Sequence, residues 1–110
     1  MHRLNHYTLE DFVRERDIAV IMFGAPESEA TMAQAIEFAD LWADRAGDAA
    51  FGYLDALDNV SVARRCGVRV LPTTLVFNAG EIVKRFEGHT PALRIGAAIS
   101  HTNTFHQAAA

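Results

Sequence analysis

The chain has 110 residues, of which half are hydrophobic and 22% are charged, and its formal net charge is −4. This is the length of one domain, and the apolar fraction is too high for a chain that stays disordered. The longest apolar run, residues 18–25, is far shorter than the roughly 20 residues of a membrane-spanning helix. Cys66 is the single cysteine, which excludes an internal disulfide and a metal site built from cysteines alone.

Charge is divided unevenly along the chain. Residues 1–60 contain twelve acidic residues and four arginines, a balance of −8, whereas residues 61–110 contain two acidic and six basic residues, a balance of +4. The acidic half argues against nucleic acid as the partner, because binding to phosphates needs a continuous basic surface. The first residues lack the apolar segment of a secretory signal, so we expect a cytoplasmic protein that does not insert into a membrane.

The first half of the chain predicts two strands and a short helix. A short strand is expected near residues 4–7, and Thr8 then opens a helix. The residues of this helix that face inward are predicted to be Leu9, Phe12 and Val13. Residues 18–23 are a continuous apolar run, which is typical of a strand buried on both faces.

A long helix is predicted from about Ser28 to Ala46, because apolar residues recur there at helical spacing. Gly47 follows its end, where a helix cap favours glycine. The spacing predicts a core-facing side formed by Met32, Ala35, Ile36, Ala39, Trp42 and Ala43, with Trp42 either in the core or at a subunit contact.

The second half predicts a strand over 50–54, a short helix over 60–65 and a hairpin of strands 73–77 and 81–86. Thr90 and Pro91 then begin a last helix. Strand–helix–strand connections require parallel pairing and the hairpin requires an antiparallel pair. The sequence therefore predicts an α/β domain over residues 1–100, with a mixed sheet of four to five strands, helices on both faces and a disordered tail over 101–110.

Residues 66–77 read Cys-Gly-Val-Arg-Val-Leu-Pro-Thr-Thr-Leu-Val-Phe, and glycines follow at 80 and 88. This stretch resembles the C-terminal half of thioredoxins, and residues 19–25 with the long helix resemble the N-terminal half. The spacing agrees over about residues 8–100. The resemblance implies a thioredoxin-like fold in which the peptide bond before Pro72 is cis.

The chain departs from this family where the chemistry of the family resides. Thioredoxins carry Cys-x-x-Cys at the start of the long helix, and this chain has Ser28-Glu-Ala-Thr31 there. Thiol–disulfide exchange needs an attacking thiolate and a second thiol that resolves the mixed disulfide. Met22 stands at the position of the family's buried acid. We therefore expect no dithiol oxidoreductase activity, and we expect that the protein is not an enzyme.

The resemblance implies that the chain keeps the polypeptide-binding surface of the family, which is formed by the loops at 24–31, 70–73 and 88–89. In relatives, the backbone before the cis proline pairs with an extended peptide as an added strand. The implied contact residues are Ala25, Pro26, Ser28, Thr31, Leu71, Pro72, Gly88 and His89. A purely structural role of the proline, shaping the start of the strand, fits the same residues, as does a role of Ser28 as a helix N-cap.

Within the family, the chain is similar to the thioredoxin-like accessory proteins of uptake-hydrogenase maturation, which lack the dithiol. The residues that match them are Pro72, Thr74 to Phe77, Gly80, Gly88 and Pro91. This resemblance implies a chaperone-like accessory protein that binds the hydrogenase small subunit or its twin-arginine signal peptide. A general chaperone-type thioredoxin-like domain matches Gly88 and Pro91 nearly as well, so the client stays open.

Two other functions are compatible with the sequence. Cys66 lies between Arg65 and Arg69, whose charges would lower the pKa of its thiol and suit a monothiol redox protein. Alternatively, the chain is a structural subunit that forms a homodimer through an apolar face. His2 and His6 have the spacing of a helical ligand pair without a third ligand, so we expect no metal and no cofactor.

Overall fold

The computed structural model describes the backbone of residues 1–109 and the side chains of residues 1–104. Its elements in chain order are β1 (His2–Leu4), α1 (Leu9–Phe12), β2 (Ile18–Gly24), α2 (Glu29–Arg45), β3 (Ala50–Asp55), α3 (Val60–Arg65), β4 (Thr73–Asn78), β5 (Glu81–Glu87) and α4 (Ala92–Ala109). In this part of the chain, no helix is both long enough and apolar enough to cross a membrane.

The five strands form one mixed sheet in the order β1-β3-β2-β4-β5. Strand β3 pairs in parallel with β1 and β2, whereas β4 is antiparallel to both β2 and β5. The predicted hairpin loop joins β4 to β5 through Ala79 and Gly80, whose φ angles of 51° and 86° give the left-handed turn that a tight hairpin uses. The predicted fold class is confirmed.

Strand β2 lies in the middle of the sheet and is buried on both faces, as its apolar run predicts. Its residues alternate between two cores, because successive side chains of a strand point to opposite faces. One core contains Ala19, Ile21 and Phe23 with residues of α1 and α3. The other core contains Ile18, Val20 and Met22 with residues of α2 and α4.

The core face of α2 differs from the one that its apolar spacing predicts. The buried residues are Thr31, Gln34, Phe38 and Leu41. Of the side chains predicted to face the core, Ala35 packs against its edge, whereas the large ones are open to solvent, with 53% of Met32, 69% of Ile36 and 41% of Trp42 exposed. The prediction was wrong because two of the buried positions carry polar, hydrogen-bonded side chains, which leaves the more apolar stripe on the neighbouring flank.

Helix α4 begins at Ala92, directly after Pro91, and its backbone stays helical to Ala109, beyond the predicted end near Ser100. The expected disordered tail over 101–110 falls largely on this helix. Residue 110 and the side chains beyond residue 104 lie outside the described residues, and the domain limit at residue 100 stays a prediction.

Candidate functional site

Three loops meet at one end of the sheet, because the strands that they follow or precede are neighbours. Thr73, the first residue of β4, pairs with Phe23 near the end of β2 and with Glu87 at the end of β5. The peptide N–H of Gly88 donates to the carbonyl oxygen of Pro72 at 2.8 Å. We call the resulting area the cis-proline surface, formed by Ala25, Pro26, Ser28, Thr31, Val70, Leu71, Pro72, Gly88 and His89.

The hydroxyl groups at the start of α2 hold the backbone. Ser28 Oγ accepts a hydrogen bond from the N–H of Thr31 at 3.3 Å, which makes Ser28 the N-cap of α2. Thr31 Oγ1 accepts a hydrogen bond from the N–H of Ala25 at 3.1 Å. Thr31 is buried, so it shapes the cis-proline surface from beneath, whereas Ser28 is half-buried and Pro26 is exposed.

The peptide bond between Leu71 and Pro72 is cis, as the resemblance implies. Thr73 Oγ1 donates to the carbonyl oxygen of Val70 at 2.6 Å and holds the bend. Pro72 is buried, Leu71 is half-buried, and 44% of the Val70 side chain is exposed. Among the described residues, the N–H and C=O of Leu71 have no hydrogen-bond partner. These two backbone groups are therefore not used by the hydrogen bonds of the fold itself.

Helix α2 fixes the loop at 88–90 through two polar residues that the sequence reasoning missed. Gln34 Nε2 donates to the carbonyl oxygen of Thr90 at 2.9 Å, and Gln34 Oε1 accepts from the N–H of Thr90 at 2.6 Å. Glu37 Oε1 accepts from the N–H of Ala92, and its Oε2 lies 3.8 Å from Nε2 of His89. The available signal was the spacing of Gln34 with Thr31, Phe38 and Leu41 on one helical face.

An apolar cavity of about 380 Å³ opens beside the start of α2. It reaches Pro26 and Thr31 of the cis-proline surface. Its other lining residues include Met1, Arg3, Met22, Met32, Ala35 and Tyr53. Met22, which the sequence resemblance aligns with the family's buried acid, is the register partner of Tyr53. Burial raises the pKa of the Tyr53 phenol above its ordinary value, and the carboxylate of Asp55 acts in the same direction.

Cys66 lies at the end of α3 and packs against the core beside α1 and α3. Burial raises the pKa of its thiol, and the charges of Arg65 and Arg85 lower it by less. Arg85, rather than the expected Arg69, is the second arginine that acts on it, because its Nη2 donates to the carbonyl oxygen of Cys66 at 2.8 Å. The pKa of the thiol is therefore raised, whereas the neighbouring arginines led us to expect it to be lowered. Cys66 is thus largely a neutral thiol at pH 7.

Across the described residues, no group of three or more His, Cys, Asp and Glu side chains could hold a metal ion.

The thioredoxin family model matches residues 1–101. A chloroplastic thioredoxin z superposes with a TM-score of 0.84 at 18% identity, over 94% of this chain and 95% of that one. Fasciola hepatica thioredoxin superposes with a TM-score of 0.83 at 21% sequence identity, over 93% of this chain and 99% of that one. A mutant thioredoxin from Halobacterium salinarum superposes with a TM-score of 0.81 at 23% sequence identity, over 92% of this chain and 88% of that one. No curated protein sequence matches. These similarities establish the fold, and the family match over nearly the whole chain establishes that it belongs to the thioredoxin family.

Proposed function

We propose that this protein is a non-catalytic thioredoxin-like protein that binds a partner polypeptide at the cis-proline surface. The observation that carries the proposal is the unpaired backbone of Leu71, next to the exposed side chain of Val70. An extended segment that lies along an open backbone gains main-chain hydrogen bonds, and neighbouring pockets select its side chains.

The chemistry at the start of α2 supports binding over redox catalysis. Thiol–disulfide exchange requires a thiolate, and Ser28 and Thr31 supply hydroxyl groups that already accept backbone hydrogen bonds. The apolar Met22 stands where the family places the acid that assists proton transfer. The residues of this surface can therefore hold a polypeptide, and none of them offers a sulfur atom to attack it.

The hydrogenase small subunit, or its twin-arginine signal peptide, is the client that the sequence resemblance suggests. The balance of −8 over residues 1–60 favours a basic client, because complementary charge raises the rate of encounter and suppresses wrong partners. A general chaperone role predicts instead that many unfolded chains bind at the same place.

A titration of the ¹⁵N-labelled protein tests the proposal. The probes are a twin-arginine signal peptide and, separately, a reduced and alkylated model polypeptide. We expect the amide signals of Val70 and Leu71 to shift and the Leu71 amide to become protected from hydrogen exchange. Shifts for the signal peptide alone would favour a dedicated accessory protein, and shifts for both would favour a general chaperone. Unchanged Leu71 signals with both probes would contradict the proposal.

A monothiol redox function through Cys66 is the second candidate. The raised pKa of the half-buried thiol works against it, because the thiolate is the reactive form. A Cys66→Ser variant that kept full partner binding would remove this candidate.

A further inference from the structure

Helix α2 presents an apolar stripe to solvent along the flank that borders the cavity. The stripe consists of Met32, Ala35, Ile36, Ala39, Trp42 and Ala43, and we call it the α2 stripe. Its large side chains are 53% (Met32), 69% (Ile36) and 41% (Trp42) exposed. At a rise of 1.5 Å per residue, Met32 and Trp42 are about 15 Å apart along the helix axis, which is about three turns of a facing helix.

Concave surface lies beside the stripe at both of its ends. Met32 and Ala35 line the cavity that reaches Pro26 of the cis-proline surface. Trp42 lines a second depression, which it shares with Met1 and Phe12. All three methionines of the chain, Met1, Met22 and Met32, line the cavity beside the start of α2. Methionine side chains adapt to varied apolar partners.

The charges next to the stripe indicate which partner fits it. Helix α2 carries four acidic residues, and three of them are exposed: Glu29, Asp40 and Asp44. Its one basic residue, Arg45, is directed to Asp48, to the carbonyl oxygen of Gly96 and to Ser100, and its Nε lies 3.7 Å from Oδ2 of Asp44. The side of α2 next to α4 is therefore acidic beside the apolar stripe. Across the cavity, Nη2 of Arg3 lies 3.9 Å from Oδ2 of Asp55, which compensates part of its charge.

This charge pattern disfavours a second copy of the chain and an anionic membrane. Packing one α2 stripe on another would bring two sets of exposed carboxylates close together, and like charges at short range are destabilising. A partner with lysine or arginine beside its apolar residues can bury its apolar side chains on the stripe and pair its charges with the carboxylates of α2.

We propose that the α2 stripe and the adjoining cavity bind a basic amphipathic segment of the partner polypeptide. The inference rests on the proposed function and deepens it, since it states the chemistry of the client. Apolar side chains of the segment lie on Met32 and Ile36, and its basic side chains lie beside the carboxylates of α2.

Trp42 provides the readout, because it is the only tryptophan and lies at one end of the stripe. The probes are a tryptophan-free amphipathic peptide of leucine and lysine, about 12 residues long, and the same peptide with glutamate in place of lysine. We expect the lysine peptide to shift the Trp42 emission to shorter wavelength with saturation, and to bind at least tenfold more tightly than the glutamate peptide. Equal affinity for the two peptides, or no spectral change, would overturn the proposal.

A matched pair of variants locates the contact. Ile36→Lys places a charge on the stripe, and Val83→Lys places the same charge on β5, at a residue that is 49% exposed in a depression lined by β5 and α4. Because both side chains are solvent-exposed, both variants are expected to fold. Ile36→Lys should weaken binding of the lysine peptide at least tenfold and Val83→Lys should leave it within twofold. Equal effects of the two variants would overturn the proposal.

Two further measurements separate the alternatives. A concentration-dependent dimer in sedimentation velocity, lost in Ile36→Lys, would show that a second copy covers the stripe and would overturn the inference. If the Leu71 amide responds to client polypeptides while Trp42 does not respond to the lysine peptide, the inference fails and the proposed function stands. If neither responds, both fail.

Discussion

Gly24 determines how closely the start of α2 approaches the sheet. A Cβ atom at this position would lie 2.5 Å from Cγ2 of Thr31 and 3.3 Å from Cε2 of Tyr53. The absence of a side chain lets the Thr31 hydroxyl reach the N–H of Ala25 and hold the loop of the cis-proline surface. A larger residue could not occupy this position without displacing the Thr31 side chain.

Gly24→Ala should therefore destabilise the protein by about 1–3 kcal/mol, the usual cost of overpacking a core. Thr31→Ser removes the clashing Cγ2 and keeps the hydroxyl, so in the Gly24→Ala background it should recover part of the loss. Urea unfolding of the wild type, both single variants and the double variant measures this coupling. Additive effects of the two substitutions would contradict the packing described here.

Cys66 illustrates why a charge near a thiol does not by itself make it reactive. Burial favours the neutral thiol, and it outweighs the two arginines that favour the thiolate. Since the folded protein holds this proton more tightly than the unfolded chain does, the thiol contributes stability below its ordinary pKa of 9.0, and this contribution is lost as the pH rises through the higher folded value.

Alkylation of native Cys66 by iodoacetamide should accordingly rise with a midpoint above pH 9.0, and at pH 8 it should be slower than in the unfolded chain. The rate as a function of pH, with and without denaturant, checks this. A rate that reaches its plateau below pH 8 in the native protein would revive the monothiol function.

At the scale of elements, α2 shows which parts of the fold the sequence could predict. The buried run of β2 and the β4–β5 hairpin are patterns of neighbouring residues, and both are confirmed. The inward face of α2 depends on contacts with Thr90, which is 56 residues away from Gln34. A buried polar residue that is hydrogen-bonded to such a distant partner does not add to the apolar periodicity of the helix. The apolar periodicity therefore pointed to the exposed stripe.

Gln34→Leu keeps most of the side-chain volume and removes both hydrogen bonds to Thr90, a residue that is 2% exposed. The unpaired N–H and C=O of Thr90 should cost about 2 kcal/mol or more of the free energy of unfolding. Urea unfolding measures this loss of stability. The control is Ile36→Leu, at an exposed position of the same helix, whose free energy of unfolding should stay within about 0.5 kcal/mol of the wild type. A Gln34→Leu variant as stable as the wild type would show that these bonds are not important.

For the candidate site, the sequence predicted residue types better than their arrangement. The Ser28-to-Thr31 segment excluded a dithiol directly, and the resemblance supplied the cis bond at Pro72. Two features arise only when α2 packs on the loop after β5. Thr31 becomes buried, and Glu37 holds the segment around His89. The spacing along α2 can indicate one common face, but it does not identify the distant groups that Gln34 and Glu37 contact.

At the scale of the molecule, a thioredoxin scaffold is retained while its reactive residue types are replaced. A Ser28→Cys, Thr31→Cys double variant should therefore regain measurable reduction of insulin disulfides in the presence of dithiothreitol, at a rate limited by the apolar Met22. The wild type should not exceed the dithiothreitol background in this turbidity assay. Reductase activity of the wild type above that background would contradict the non-catalytic account.

Two valines of similar exposure can test whether the cis-proline surface captures a polypeptide. Val70 on this surface is 44% exposed, and Val60 at the start of α3 is 47% exposed. The wild type, Val70→Asp and Val60→Asp are immobilised, and the proteins captured from a lysate of the source organism are identified by mass spectrometry. We expect a partner that is held by the wild type and by Val60→Asp and is lost in Val70→Asp. Equal capture by all three proteins would contradict it.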